Sequence, residues 1–415
     1  MPFPGPVQQW IGARSRLFIP SLICDGGGAK TAPMLIASTE QLAAFCKSLT
    51  GVEFITIDTE FMRERTYWPR LCLVQLAGPE KAVAVDPLAD GMDLSPLYGL
   101  LADEGILKVF HAARQDIEIF FNQTGKIPAP LFDTQIAAMV CGFGDAVSYE
   151  TLCAKLARAK IDKSSRFTDW GRRPLAARQM EYAISDVTHL RVVYLKLKEQ
   201  LEKSGRAEWM REEMAVLTDP ATYKMEPQEA WKRLRLRGPV KPSLFPFVRE
   251  LAAWRETEAQ RLDVPRNRVI KDETLMEIAH HAPRSAAELS RIRGLPQSFA
   301  EGRQGRAVLE VLARAASMPL VSDLAAESER KKRKVPAAAL ELLKVLLKKT
   351  SEEHGVAARL IASSGDLERL AAEDNPDIPA LQGWRRKLFG ETALALKRGE
   401  IAIAVRNGQV IIKKD

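Results

Sequence analysis

The sequence is short of cysteine and of histidine, with five of each in 415 residues. The cysteines (Cys24, Cys46, Cys72, Cys141 and Cys153) are scattered and form no CxxC pair. In a chain this long that pattern argues against a disulfide framework and against zinc, and for reduced thiols in a cytoplasm. So few histidines also weigh against a hydrolase built around histidine. No apolar run approaches the ~20 residues that a membrane span requires, so no membrane partner is expected. The stretch from Met1 to Pro20 is Pro-rich without a continuous apolar core and does not read as a secretory signal. Gly26-Gly27-Gly28 is not followed by Lys-Ser/Thr, which excludes a phosphate-cradling loop there. Residues 1–33 therefore read as a flexible N-terminal extension ahead of Met34, where a patterned segment opens.

What the chain does have is room for cores and an uneven charge. Hydrophobic residues make up 46% and charged residues 27%, the balance of a soluble globular protein. At ~100–200 residues per domain, its length predicts two or three domains. The net charge of +8 is unevenly placed: residues 1–218 carry 25 Lys and Arg against 26 Asp and Glu, and residues 219–415 carry 36 against 27. A near-neutral half followed by a basic half suggests a polyanion gripped by the second and processed by the first. A merely basic, solvated surface accounts for the charge equally well.

Patterning also separates the halves. Short β-rich runs at Glu53–Asp58, Leu71–Ala77 and Lys81–Asp86 precede any long helical pattern, with turns at Gly78-Pro79 and Pro87, and predict hairpin-connected antiparallel strands. A further strand is predicted at Leu107–His111. Helical spacing then dominates in Gln115–Gln123, Asp133–Cys141, Tyr149–Ala159 and a long stretch from Pro174 to Ser204 that ends at Gly205. Together these describe an α/β sheet with helices packed on it. From Asp219 onward the apolar period is helical in Leu244–Gln260, Lys271–Ala279, Ser285–Ile292, Gly302–Ala316 and again in Ala337–Gly399. The run Lys331-Lys332-Arg333-Lys334 reads as a linker. The tail Ile401–Lys414 alternates around Asn407-Gly408, a hairpin signal.

Four carboxylates stand out by position. Asp58 and Glu60 lie two apart at the end of a strand, which puts both on one face. Asp116 follows a strand and falls in the first turn of a helix. Asp186 lies inside the long helix, four residues after Tyr182 and on the same face. Each alone has an ordinary explanation: a solvated strand end, an acid offsetting a helix dipole, a Tyr–Asp hydrogen bond. As a set, oxygen-only ligands suit Mg²⁺ or Mn²⁺. Two such ions ~3.5–4 Å apart can clamp the attacking and leaving oxygens of a phosphoryl transfer, and a nearby phenol can position or deprotonate the attacking water.

The flanking residues go further. Asp58-Thr-Glu60-Phe is followed by Arg65-Thr-Tyr-Trp-Pro-Arg-Leu-Cys-Leu-Val-Gln-Leu76, then by His111-Ala-Ala-Arg-Gln-Asp116, Asp162-Lys-Ser-Ser-Arg-Phe-Thr-Asp-Trp170 and Tyr182-Ala-Ile-Ser-Asp186. In this order and spacing they resemble the ribonuclease D family of the DEDD exonuclease superfamily, the type with a tyrosine in its third motif. The resemblance implies an α/β ribonuclease H-like exonuclease domain, a mixed sheet flanked by helices, over residues 34–218. It implies two Mg²⁺ or Mn²⁺ ions held by Asp58, Glu60, Asp116 and Asp186, with Tyr182 and Glu60 as the catalytic side chains and Tyr182 orienting the water. The implied activity is a 3′→5′ exoribonuclease releasing 5′ mononucleotides from tRNA precursors and other small structured RNAs, with no obligate protein partner.

The segments Ala230-Trp231-Lys, Leu251-Ala-Ala-Trp254-Arg and Ile292-Arg-Gly294 resemble the HRDC domain, an all-α helical bundle that binds nucleic acid. It is assigned to residues 219–316, with a second, degenerate copy at 320–400 that ends in Leu381-Gln-Gly-Trp384-Arg, and a hairpin at 401–415. Lys163, Arg166, Trp170 and His111 are the candidate RNA-binding residues: Arg63, Arg65, Lys163, Arg166 and Arg172 read as phosphate contacts or as surface charges, Tyr67 and Trp170 as platforms for a terminal base or, more readily, as packing, and His111 as a contact to the scissile region or, more safely, as a strand-end histidine. Trp231, Trp254 and Trp384 read as core. Lys232, Arg233, Arg235, Arg237 and Lys241 form a basic cluster facing RNA or solvent. Two other functions use the same residues: a single-stranded DNA 3′→5′ exonuclease, and a non-catalytic RNA-binding protein.

Overall fold

The computed structural model describes residues 34–166, 168–234, 241–319 and 335–414, without the Lys163 side chain. The extension at 1–33, the linker at 331–334, and Arg235 and Arg237 of the basic cluster lie outside the described residues. The chain divides into two compact units. Among the described residues no helix is long and apolar enough to cross a membrane.

The first unit begins with β1 (Met34–Ile36), α1 (Thr39–Ser48), β2 (Phe54–Met62), β3 (Arg70–Ala77), β4 (Ala82–Val85), α2 (Ser95–Ala102), β5 (Leu107–Phe110), α3 (Arg114–Thr124), β6 (Leu131–Asp133) and α4 (Thr134–Val140). It continues with α5 (Tyr149–Leu152), which runs into a π-helical turn, then α6 (Ala177–Ser204) and α7 (Arg211–Thr218). The strands form one six-stranded mixed sheet in the order β1-β4-β3-β2-β5-β6. β3 and β4 pair antiparallel, while β1–β4, β2–β5 and β5–β6 pair parallel. β3 is buried along all but its first residue, as expected of a strand covered on both faces. α6 buries a stripe of Met180, Ala183, Val187, Leu190, Val193, Leu197 and Leu201, three or four residues apart, and forms much of the core.

Several elements differ from the sequence reading. α1 precedes the β-rich runs, held at its start by Ser38, whose hydroxyl accepts from Gln41 N at 3.4 Å. β1 and β6 have three residues each, too few to show an alternation. The long helix starts at Ala177 and not at Pro174, because Arg173 is anchored to the sheet. Its Nε and Nη2 each reach the Asp86 carboxylate at 2.6 Å, and Nη2 also donates to Cys72 O at 2.6 Å.

The C-terminal helices group with this first unit. They are α11 (Ala337–His354), α12 (Ser364–Ala372) and α13 (Glu391–Arg398), followed by the hairpin of β7 (Ile401–Arg406) and β8 (Gln409–Lys414). Asn407 and Gly408 both have positive φ, 52° and 76°, the turn their dipeptide predicts. Docking is specific. Ala357 N donates to Met139 O at 2.9 Å and Arg359 N to Asp145 Oδ1 at 2.7 Å. A side chain on Gly142 would meet Gly355 O at 2.5 Å, so the backbones touch there. Trp209 and Trp384 stack face to face, centroids 4.4 Å apart, with Arg206 over one ring and Arg385 over the other. Arg385, 3% exposed, pairs with Glu212 and with Glu213 (3.0 Å), and donates to Leu360 O at 2.6 Å.

The second unit comprises residues 62–70 and 223–319. Its main helices are α8 (Phe245–Leu262), α9 (Asp272–His281) and α10 (Arg303–Ala316), which enclose Val248, Leu251, Leu275, Ile278, Val308 and Val311. Arg255, buried in α8, ties down α9 through Asp272 Oδ1 at 2.8 Å and Ile270 O at 2.9 Å. Tyr67 packs on this core; its hydroxyl donates to the fully buried Glu256 and accepts from Gln260. Asp263 accepts both Tyr67 N and Trp68 N at 3.0 Å. Tyr67 is thus a packing residue, not an open platform for a base.

Arg385→Ala removes hydrogen bonds from a buried guanidinium while leaving glutamates that keep solvent. It should destabilise the chain by about 2 kcal/mol. Chemical denaturation measures this, and a change under ~0.5 kcal/mol, as for an ordinary surface substitution, would show that the C-terminal helices brace nothing.

Candidate metal centre

The four carboxylates come from three elements. Asp58 and Glu60 project from one face of β2, a strand flanked by β3 and β5. Asp116 stands in the first turn of α3. The loop into that helix is held by Asp133, whose carboxylate accepts Ala112 N at 3.0 Å and Ala113 N at 2.9 Å, and also caps α4 by accepting Gln135 N at 2.7 Å. Ala112 depends on that support, because its φ of 57° is left-handed. Asp186 lies on the buried stripe of α6 and is 5% exposed. The Thr56 hydroxyl, on β2, donates to Val187 O at 2.8 Å, and the Tyr149 hydroxyl donates to Asp186 O.

Carboxylate oxygens of Asp58, Glu60 and Asp186 lie within 4.8 Å of one another. Asp116 stands just outside this set, its Oδ1 accepting the Thr59 hydroxyl at 2.5 Å. At an effective dielectric of ~20, two full charges 4.8 Å apart repel by roughly 3 kcal/mol. The protons respond accordingly. Burial, then the charges of Asp58, Asp186 and Asp116, push Glu60 up to about 10, with Arg166 opposing. Burial pushes Asp186 up to about 7 against the pull of the Tyr182 hydroxyl and Arg166. Asp58 is raised well above the ordinary carboxyl range by burial and Asp186, and Asp116 by burial and Asp58. Asp186 Oδ1 is buried with no hydrogen-bond partner. An unpartnered buried oxygen inside an all-oxygen cluster fits a hard divalent cation.

Tyr182 hydrogen-bonds the Asp186 carboxylate, and burial and the surrounding acids raise its phenol far above the ordinary value. Its hydroxyl, beside the Asp186 carboxylate, can orient a water. Arg166 is exposed, yet close enough to stabilise the ionised Glu60 and Asp186. The Lys163 side chain lies outside the described residues. One sequence expectation is corrected. Trp170 is 3% exposed, its ring 6.2 Å from that of Tyr182, so it packs behind the phenol and offers no face for a base. His111, half-buried, shares a hydrogen bond with Thr134 Oγ1 at 3.0 Å and packs on Tyr149, and burial lowers its pKa from the ordinary imidazole value. Sequence reasoning missed Thr59, Asp133 and Arg173. Arg173 also donates to Trp170 O at 2.8 Å and so fixes the segment behind Tyr182. Threonines inside the apolar run Phe54–Asp58-Thr59 were the available signal.

Residues 33–202 match the model of a 3′-5′ exonuclease family, and residues 245–312 that of the HRDC domain. The chain is 53% identical over 379 residues to the ribonuclease D of Granulibacter bethesdensis, covering 91% of this chain and 96% of that one. Over 378 residues it is 52% identical to the ribonuclease D of Acidiphilium cryptum, covering 91% and 96%. This chain belongs to the ribonuclease D family. Its structure is similar to that of Escherichia coli RNase D, an exoribonuclease involved in structured RNA processing, with a TM-score of 0.74 and 29% identity over 89% of this chain and 99% of that one. The α/β unit is thus a ribonuclease H-like exonuclease domain, joined to an HRDC domain. As a ribonuclease D the chain is a hydrolytic 3′→5′ exoribonuclease, and exonucleases of this fold depend on divalent metal.

The raised carboxyls set the pH dependence of the metal-free protein. A carboxyl that binds its proton more tightly when folded stabilises the fold at acid pH, and that contribution is lost as pH rises through the folded value. The loss therefore runs from the ordinary values of 3.8 and 4.5 through about 7 for Asp186 and on toward about 10 for Glu60. In EDTA the melting temperature should fall between pH 6 and 9, and Asp186→Asn should raise it at the upper end (roughly, from the values above). Calorimetry across that range checks this; a melting temperature that climbs with pH in EDTA contradicts the crowding of the acids.

Proposed function

We propose that the chain is a two-metal-ion 3′→5′ exoribonuclease that trims the 3′ ends of tRNA precursors and other small structured RNAs in the cytoplasm, releasing 5′ mononucleotides. The observation that carries the reading is the trio Asp58, Glu60 and Asp186 within 4.8 Å, with a buried Asp186 oxygen lacking any donor. Asp58, Glu60, Asp186 and, from the edge of the cluster, Asp116 would hold the ions. Bound there, two divalent cations supply Lewis-acid activation of a water and charge stabilisation of the leaving oxygen.

The chain's own residues do the rest. Tyr182, fixed by Asp186 and by the packing of Trp170, orients the attacking water. Arg166, beside Glu60 and Asp186, is placed to meet a phosphate, with Lys163 in the same segment. The likeness to E. coli RNase D supports RNA over DNA as the polymer. Free thiols at the four described cysteines suit a reducing compartment. The C-terminal helices of the first unit are read as the second, degenerate HRDC-like module.

Asp186→Asn should abolish Mg²⁺- or Mn²⁺-dependent trimming of a labelled tRNA precursor. Tyr182→Phe should slow it by ~10²-fold or more while leaving RNA binding intact. Equal trimming by wild type and Asp186→Asn would refute the metal assignment; faster loss of a matching single-stranded DNA would move the substrate to DNA; no trimming of either by wild type would leave a binding protein.

The HRDC unit is read as the grip on RNA. Arg233→Ala with Lys241→Ala should then flatten the salt dependence of RNA binding, by about one power of salt for each phosphate that the variant no longer neutralises. An unchanged slope removes this surface from the grip.

A further inference from the structure

Two hydroxyls converge on consecutive main-chain carbonyls in the middle of α6. Tyr149, at the start of α5, donates to Asp186 O, and Thr56, on β2, donates to Val187 O at 2.8 Å. Inside an α-helix each carbonyl already serves the amide four residues on, and its second lone pair is free for such a donor. Neither bond is needed to complete the helix. Both instead fix where the turn that bears Asp186 stands against the sheet. Thr56 is two residues before Asp58 on the same strand face, so its bond ties the strand of Asp58 and Glu60 directly to the helix of Asp186. Thr56 is fully buried, and Tyr149 packs its ring against His111 at 5.2 Å between centroids, with Cys153 as the other neighbour of its hydroxyl.

The trio needs such a tie. Repulsion among Asp58, Glu60 and Asp186 drives strand and helix apart wherever the acids ionise, which is the state that binds metal. We infer that Tyr149 and Thr56 are positioning residues for the metal centre, holding the Asp186 turn at the spacing from β2 that a shared cation requires. This rests on the metal-centre reading above. It assigns a role to Tyr149, which lies outside the three motifs that carry the four acids.

The test is Mn²⁺ binding by titration calorimetry, together with the Mn²⁺-induced rise in melting temperature, on the full chain. Loss of a bond that orients a metal ligand weakens metal affinity by ~10–100-fold. Tyr149→Phe and Thr56→Val should therefore weaken Mn²⁺ binding about tenfold or more. Thr56→Ser, which keeps the hydroxyl, should bind as wild type does. In RNA trimming, Tyr149→Phe should recover toward wild-type rate as Mn²⁺ is raised, whereas Asp186→Asn should not. Tyr149→Phe with a lowered melting temperature but wild-type Mn²⁺ affinity would make the bond merely structural and overturn the inference. Failure of Thr56→Ser to restore affinity would remove Thr56 from it. Absence of Mn²⁺ binding by wild type would overturn the metal centre itself, a distinct result from wild-type binding matched by Tyr149→Phe.

Discussion

The exonuclease unit is organised around a repulsion. Three carboxylates share a space under 5 Å across, since their oxygens lie within 4.8 Å, with a fourth at its edge. No arrangement of apolar residues would choose this, and among the described residues Arg166 is the cation that acts on Glu60 and Asp186. A core that contains such a cluster must be held shut by bonds made elsewhere. That is the common property of the polar interior bonds of this unit. Thr56 and Tyr149 fix the helix of Asp186, Thr59 fixes Asp116, Asp133 fixes the loop ahead of α3, and Arg173 fixes the segment behind Tyr182. Each is worth little beside the burial of the apolar stripe of α6, but each acts at the place where the acids push.

The two helical regions differ in the same terms. The C-terminal helices dock through a Trp–Trp stack, a buried arginine and a backbone contact at Gly142, features of a fixed joint within one compact unit. They are nearly neutral: residues 335–415 carry 13 Lys and Arg against 11 Asp and Glu. Residues 219–319 carry 18 against 13. The basic excess that pointed to a polyanion therefore lies mainly with the HRDC domain and the chain just after it. A region that is docked by specific bonds and almost uncharged has the character of a brace, and one that is basic has the character of a grip.

The sequence made the chemistry legible before the architecture. Asp58, Glu60, Asp116, Tyr182 and Asp186 could be named because metal chemistry restricts residue type and the strand and helix periods restrict direction. The central strands and α6 were readable because their apolar patterns run for many residues. β1 and β6 were not, since a three-residue strand gains its stability from its neighbours and not from its own pattern. The start of α6 was misplaced because Arg173 overrides the local preference of Pro174 through a bond to Asp86, far earlier in the chain, at 2.6 Å.

Trp170, His111 and Tyr67 were each open to two readings, contact or packing, for one reason. An aromatic or imidazole side chain beside a catalytic motif suggests contact with substrate when only the chain order is known. Yet a buried charged cluster also needs large, stiff side chains around it to exclude water and to keep its ligands in place. Trp170 behind Tyr182 and His111 against Tyr149 serve that need, and Tyr67 serves the HRDC core. Proximity in sequence to a catalytic motif therefore marks support as readily as contact. What separates them is the tertiary partner each side chain meets, which is not written in the motif. Arg166, exposed and close enough to act on Glu60 and Asp186, has a described environment that suits a phosphate.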